Sequence, residues 1–295
     1  MEPETITMFL MDGEPTKRIK CTVDNIWNGV VYKIPRTMLG DCKEDTCTWE
    51  IARHLKQSGI YFLLGKDADT EQGTIYIGQA ICRKNGEGLL GRILEHYRNE
   101  KERYFGDWTE VICLTTRENT LGATDISYLE SEFTKSARNA NRYKVWNGND
   151  PNPGNVIEEK IGGLSHYIKY AKKIVGVLGH SIFASVTEEV EESAKQKENN
   201  PTFEFKGSWK ARGRRTDEGF AVLAGSEINP KLAKSASGAV VKARKIYADI
   251  IDEQYRLTVD ALLSSPSAAA GFVGGCSLSG NLSWATKDGK TPRDF

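Results

Sequence analysis

The chain of 295 residues has no excess of charge, with 40 Lys and Arg set against 40 Asp and Glu. That balance counts against a protein that coats nucleic acid non-specifically, since such proteins carry a basic excess, but it leaves room for a local basic groove. No apolar run approaches the length needed to cross a bilayer. The acidic start Met1-Glu2-Pro3-Glu4 does not read as a secretion signal, so the expected location is the cytoplasm. Histidine is scarce, with four in all. Of the six Cys only Cys42 and Cys47 are near neighbours, and no His pair lies close enough to complete a zinc site. All six thiols are therefore expected to be reduced. Internal repeats and low-complexity tracts are missing too. The length suits two ordinary domains, or one with substantial additions.

What is present is strand and turn chemistry. Thr5 to Leu10, Arg18 to Val23 and Gly29 to Ile34 read as strands, with turn residues at Met11-Asp12-Gly13 and Trp27-Asn28-Gly29 and a stop at Pro35-Arg36. A short amphipathic helix over about Trp49 to Gln57 leads into two aromatic, branched runs, Ile60 to Leu64 and Thr74 to Ile77. The polar loop Gly65 to Gly73 joins them, which makes a β-hairpin. Alternation puts Ile75 and Ile77 on one face and Tyr76 on the other, with Tyr61 likewise opposite Ile60 and Phe62. One face is expected to enter the core and the other to present two phenols. A helix is expected from about Leu89 to Arg103, with Arg92 and His96 four residues apart and off its apolar stripe. Trp108 to Thr116 reads as a strand. Thr120 to Arg138 reads as a helix that buries Ile126, Leu129, Phe133 and Ala137, with Glu130 bordering the stripe and Glu132 further out. Gly86-Glu87-Gly88-Leu89-Leu90-Gly91 has the letters of a dinucleotide fingerprint but stands several residues beyond its strand, so it reads as a loop and helix start.

Gly59-Ile60-Tyr61 and Tyr76-Ile77-Gly78, followed in order by Arg92, His96, Glu130 and Asn147, resemble the motif set of the GIY-YIG nucleases. The resemblance implies an α+β domain, a small antiparallel sheet flanked by helices. It also implies metal-dependent hydrolysis of phosphodiester bonds in DNA, with RNA the less favoured substrate. It assigns Tyr61 to activating the attacking water, Tyr76 to lining the site, Arg92 to the phosphate and His96 to proton handling. Glu130 is assigned to one divalent ion, Mg²⁺ or Mn²⁺, and Asn147 to closing the set. The stretches from Gly78 to Arg92 and from Glu130 to Asn147 are longer than the compact pattern. Asn139 and Asn141 are therefore alternatives to Asn147, and Glu132 is a rival to Glu130. Glu130 is preferred because a carboxylate bordering the buried stripe is held rigidly and partly desolvated. A catalytically silent DNA-binding or regulatory subunit that keeps the fold is the alternative reading.

Residues from about 155 to 200 read as helical and increasingly acidic, up to Glu188-Glu189-Val190-Glu191-Glu192, and Asn199-Asn200-Pro201 breaks the chain. The expected organisation is a β-rich segment over 1–50, the nuclease-like domain over 51–155, an acidic helical linker over 156–201 and a separate small α+β domain over 202–295. In the last, Thr202 to Lys206 and Gly219 to Leu223 are expected to pair around a basic turn of Lys210, Arg212, Arg214 and Arg215, a candidate contact for nucleic-acid phosphates. A long helix is expected over about Val240 to Leu263. A further helix should start at Ser265-Pro266 and stop at Gly274-Gly275. Gly219 to Ser226, Ser264 to Ala270, and Trp284 with Asp288-Gly289-Lys290-Thr291 resemble the DUF4357 domain of unknown function. The strands with Phe9-Leu10 and Ile34-Pro35-Arg36 are similar to the leader of bacterial proteins in which that domain follows a nuclease or methyltransferase module.

Overall fold

The computed structural model of the chain describes residues 3–23, 26–42, 49–84, 86–98, 108–185 and 201–295. The structure is α+β and divides into two units, the first made of Met1–Asp67 and Glu71–Phe183 and the second of the remainder. Each unit has its own sheet.

In the first unit the branched and aromatic runs form β1 (Ile6–Leu10), β2 (Ile19–Val23), β3 (Gly29–Pro35), β4 (Gly59–Lys66), β5 (Gly73–Ala80), β6 (Glu110–Thr116) and β7 (Lys144–Val145). Their order is β1-β2-β3-β6-β4-β5-β7. Only the short β5–β7 pair is parallel. The helices are α1 (Trp49–Leu55), α2 (Leu89–Arg98), α3 (Ala123–Ala140) and α4 (Glu158–Val177). Alternation sorts the hairpin between two cores. Ile60, Phe62, Leu64, Ile75 and Ile77 join the apolar stripes of α3 and α4, whereas Tyr61 and Leu63 join those of α1 and α2. Both faces of the sheet are thus covered. Tyr61, expected on a presented face, is 1% exposed, because Leu89, Ile93 and Leu94 of α2 lie over that face.

The strands before residue 50 belong to this sheet. β3 pairs with β6 from Gly29↔Thr116 to Pro35↔Glu110, so the expected division at 50 does not interrupt it. The stretch after 155 is also built in. α4 buries Leu164, Tyr167, Tyr170, Ala171, Ile174 and Val175. The Tyr167 ring stands 5.0 Å from that of Trp27, and its hydroxyl donates to the Thr115 carbonyl at 2.9 Å. The acidic run at 188–192, the break at 199–200, Cys47 and the helix expected beyond Arg98 lie outside the described residues. No described helix is long and apolar enough to cross a membrane.

The second unit contains β8 (Phe203–Phe205), β9 (Arg212–Thr216), β10 (Gly219–Val222), β11 (Ala261–Leu263) and β12 (Trp284–Ala285), in the order β11-β10-β9-β8-β12. Its core joins Phe203, Phe220, Val222 and Trp284 of the sheet to Ala269, Phe272 and Val273 of α6 (Pro266–Gly274), with α5 (Gly238–Ile246) packed beside α6. α6 obeys its caps: the Ser265 side chain accepts from the Ala268 N–H, and Gly275 ends the helix at φ 72°.

The basic stretch is not a turn. Arg212–Thr216 is β9, between β8 and β10, because Asp217-Glu218 makes the turn and the Gly219 N–H donates to Thr216 Oγ1 at 3.1 Å. The helix expected over Val240–Leu263 stops at Ile246. The Asp252 carboxylate accepts the N–H groups of Gln254 and Arg256 at 3.0 and 2.7 Å, with Tyr255 at φ 58°. That side-chain turn competes successfully with helix, and Ala261–Leu263 goes on to pair with β10.

Candidate active site

Two glycines of the hairpin stand where other atoms occupy the space of a Cβ. A Cβ on Gly59 would overlap the Leu114 carbonyl oxygen of β6. A Cβ on Gly78 would overlap the Tyr61 hydroxyl oxygen and Cζ and stand 2.9 Å from Cε2. Tyr61 and Gly78 are register partners across the hairpin, so the phenol lies over the glycine.

Around that ring the core beneath α1 and α2 becomes polar. The Tyr61 hydroxyl meets His96 Nε2 at 2.8 Å. The Tyr76 ring stands 6.2 Å from that of Tyr61 and 5.4 Å from that of His96. Arg92, one turn before His96 on α2, bonds Glu95 at 2.7 Å and interacts electrostatically with the Tyr61 hydroxyl. Burial pushes the Tyr61 hydroxyl well above the ordinary phenol range; Tyr76 adds to the shift and Arg92 opposes it.

Glu130 comes from α3, on the opposite face, and meets this group at the Gly78-Gln79 end of β5. Gln79, on the same face of β5, and Arg92 both act to hold its carboxylate down. Burial outweighs both and raises Glu130 to about 7. Tyr61, Tyr76, Arg92, His96 and Glu130 are thus gathered around one end of β5.

Asn147 is placed differently. Its Oδ1 accepts the Ile77 N–H at 3.0 Å and its Nδ2 donates to the Ile77 carbonyl at 2.7 Å, so the side chain pins the backbone between Tyr76 and Gly78. Asn141 is the left-handed cap of α3 at φ 50°, and Asn139 is exposed. Glu132 pairs with Lys135 at 2.9 Å. Sequence reasoning missed Gln79. It shares a face with Ile75 and Ile77, a polar residue where the alternation called for an apolar one, and that was the available signal. In the second unit Lys210 and Arg212 are exposed. Arg214 donates to Thr202 Oγ1 at 2.8 Å, and Arg215 donates to the carbonyls of Pro292 and Phe295 at 2.8 and 2.6 Å.

No group of three His, Cys, Asp or Glu gathers into a metal cage among the described residues. Glu130 is a lone, half-buried carboxylate raised by burial despite the nearby Arg92. Mg²⁺ is commonly held by one or two carboxylates, with water and substrate phosphates completing the shell. The donor present fits one such ion.

Residues 202–295 match DUF4357, a domain of unknown function. No curated protein and no solved structure matches the chain.

Proposed function

We propose that the first unit is a GIY-YIG-type endonuclease that hydrolyses phosphodiester bonds in DNA with one Mg²⁺ or Mn²⁺ ion. The observation that carries this reading is the gathering of two phenols, an imidazole, a guanidinium and one half-buried carboxylate at the Gly78-Gln79 end of β5. Each of these groups belongs to a residue that the motif resemblance names. The ion, held by Glu130, would supply positive charge to the phosphate and its leaving oxygen.

The chain's own residues account for the remaining work. The Tyr61 oxygen takes the proton of the attacking water while its own proton passes to His96 Nε2, 2.8 Å away. Burial holds the phenol well above its ordinary value, so free phenolate does not accumulate and the two transfers are coupled. The relay requires the His96 tautomer with its proton on Nδ1. Arg92 offsets charge on the non-bridging oxygens. Tyr76 packs against both rings of the relay and keeps them aligned.

Plasmid cleavage with Mg²⁺ or Mn²⁺ tests the reading. The wild-type chain should cut, and Glu130→Ala and Arg92→Ala should each lose about 10²-fold or more, as removal of transition-state charge stabilisation does. Equal rates for all three proteins refute it. The burial of Tyr61, at 1% exposed, favours a second reading, the catalytically silent DNA-binding subunit. Salt-dependent DNA binding with no nicking at any metal concentration would support that one.

A further inference from the structure

A groove of about 470 Å³ opens beside the candidate site, lined by Gln79, Ala80, Ile81, Arg83, Gly88 and Arg92. Arg83, in the loop after β5, has no part in the proton relay and none in either core. Its side chain is 48% exposed and its guanidinium bonds Glu95 Oε1 at 2.7 Å. Glu95 Oε2 accepts from Arg92 at 2.7 Å. One carboxylate therefore bridges two guanidiniums, an oxygen to each, and the pair holds it down at about 2. Two guanidiniums sharing the oxygens of one anion is also the way arginines grip a phosphate. Glu95 is 40% exposed. At such exposure an ion pair contributes little, so a polyanion can displace it.

Resting on the nuclease reading, we infer that Arg83 is a second phosphate-binding residue, which seats the DNA backbone in the groove beside the phosphate held by Arg92. Glu95 stands in for phosphate oxygens in the free protein and keeps both guanidiniums facing the groove until the backbone displaces it.

The test is fluorescence anisotropy with a short labelled duplex in EDTA, where no cutting occurs, over a salt series. Arg83→Ala should weaken binding about tenfold, the effect of losing one charge-assisted contact. It should also make the slope of log K against log salt shallower by about one. Arg83→Lys should restore the slope but only part of the affinity, since the charge returns without the two-pronged fork. Glu95→Gln should tighten binding several-fold, because the competing anion is gone while the amide fills the same space. An Arg83→Ala protein with wild-type affinity and slope overturns the inference. If the wild-type chain still cuts plasmid with Mg²⁺, the nuclease reading survives that result. A Glu95→Gln protein that binds more weakly overturns the displacement role. A wild-type chain that neither binds the duplex nor cuts plasmid overturns the inference and the nuclease reading together.

Discussion

Replacing Gly78 by Ala tests the packing on which the candidate site stands. Gly78 lies in a regular strand, so an alanine backbone is accommodated and the reduced freedom of the unfolded chain favours it by roughly 0.5–1 kcal/mol. Against that stands the overlap of the new Cβ with the Tyr61 hydroxyl and Cζ. The ring has nowhere to retreat. Its strand is paired on both sides, with β5 and with β6, and its oxygen is tied to His96 at 2.8 Å. Overpacking a closed core costs about 1–3 kcal/mol, which leaves a net loss of about 1–2 kcal/mol. For a unit of this size that lowers Tm by about 2–8 °C. Leucine lacks all three atoms that the Cβ would meet, so in a Tyr61→Leu background the same substitution should be neutral or slightly stabilising. The double-mutant cycle should return a coupling of about 2 kcal/mol. Urea unfolding of the four proteins measures it. An equal cost in both backgrounds would refute the phenol-over-glycine contact. On the proposed nuclease reading, cleavage should suffer more than stability, since a displacement of about 1 Å in a reacting group is worth about 10²-fold.

Three further outcomes follow from the same structure. Glu130 is raised by burial from an ordinary 4.5 to about 7, so the folded state binds the proton more tightly. Without metal, stability should fall as pH rises from about 4.5 to about 7 and then level off, and melting curves of Glu130→Gln should lose that slope. Asn147→Ala leaves the Ile77 N–H and carbonyl without partners and should destabilise the first unit by about 1–3 kcal/mol in urea unfolding. In the second unit Ser265→Ala removes the side-chain cap of α6 and should cost about 1 kcal/mol by the same measurement.

The hairpin and its neighbours were legible because period-two alternation is a local property. Ile60, Phe62, Ile75 and Ile77 sort from Tyr61 on the sequence alone. The stripe of α3 was equally plain, and all four of its named residues are buried. What escaped was non-local. That Tyr61 would be covered depended on α2 folding over the sheet, and no residue near Tyr61 announces it. α4 reads as a helical linker in a stretch that grows acidic, and only the burial of Leu164, Tyr167, Ala171 and Ile174 ties it to the first unit. The basic residues of β9 looked like a turn by composition, while Asp217-Glu218-Gly219 held the actual turn chemistry. The long helix expected to Leu263 ends at Ile246, and further on the Asp252 carboxylate takes the N–H groups of Gln254 and Arg256 in a turn of its own. Arg83 and Glu95 are twelve residues apart and meet only because the loop after β5 returns to α2.

The side-chain amide of Asn147 has a bearing on solubility as well. β7 supplies two residues of strand, after which the Trp146 N–H bonds the Ile75 carbonyl at 2.8 Å and Asn147 takes both backbone groups of Ile77. Thr74-Ile75-Tyr76-Ile77, a branched and aromatic run without charge or proline, is the kind of segment that templates fibrils when its margin lies open. Here the ladder is finished off by a stub and a single carboxamide. A foreign strand, or another copy of this one, finds the outward groups of Ile75 and Ile77 already taken.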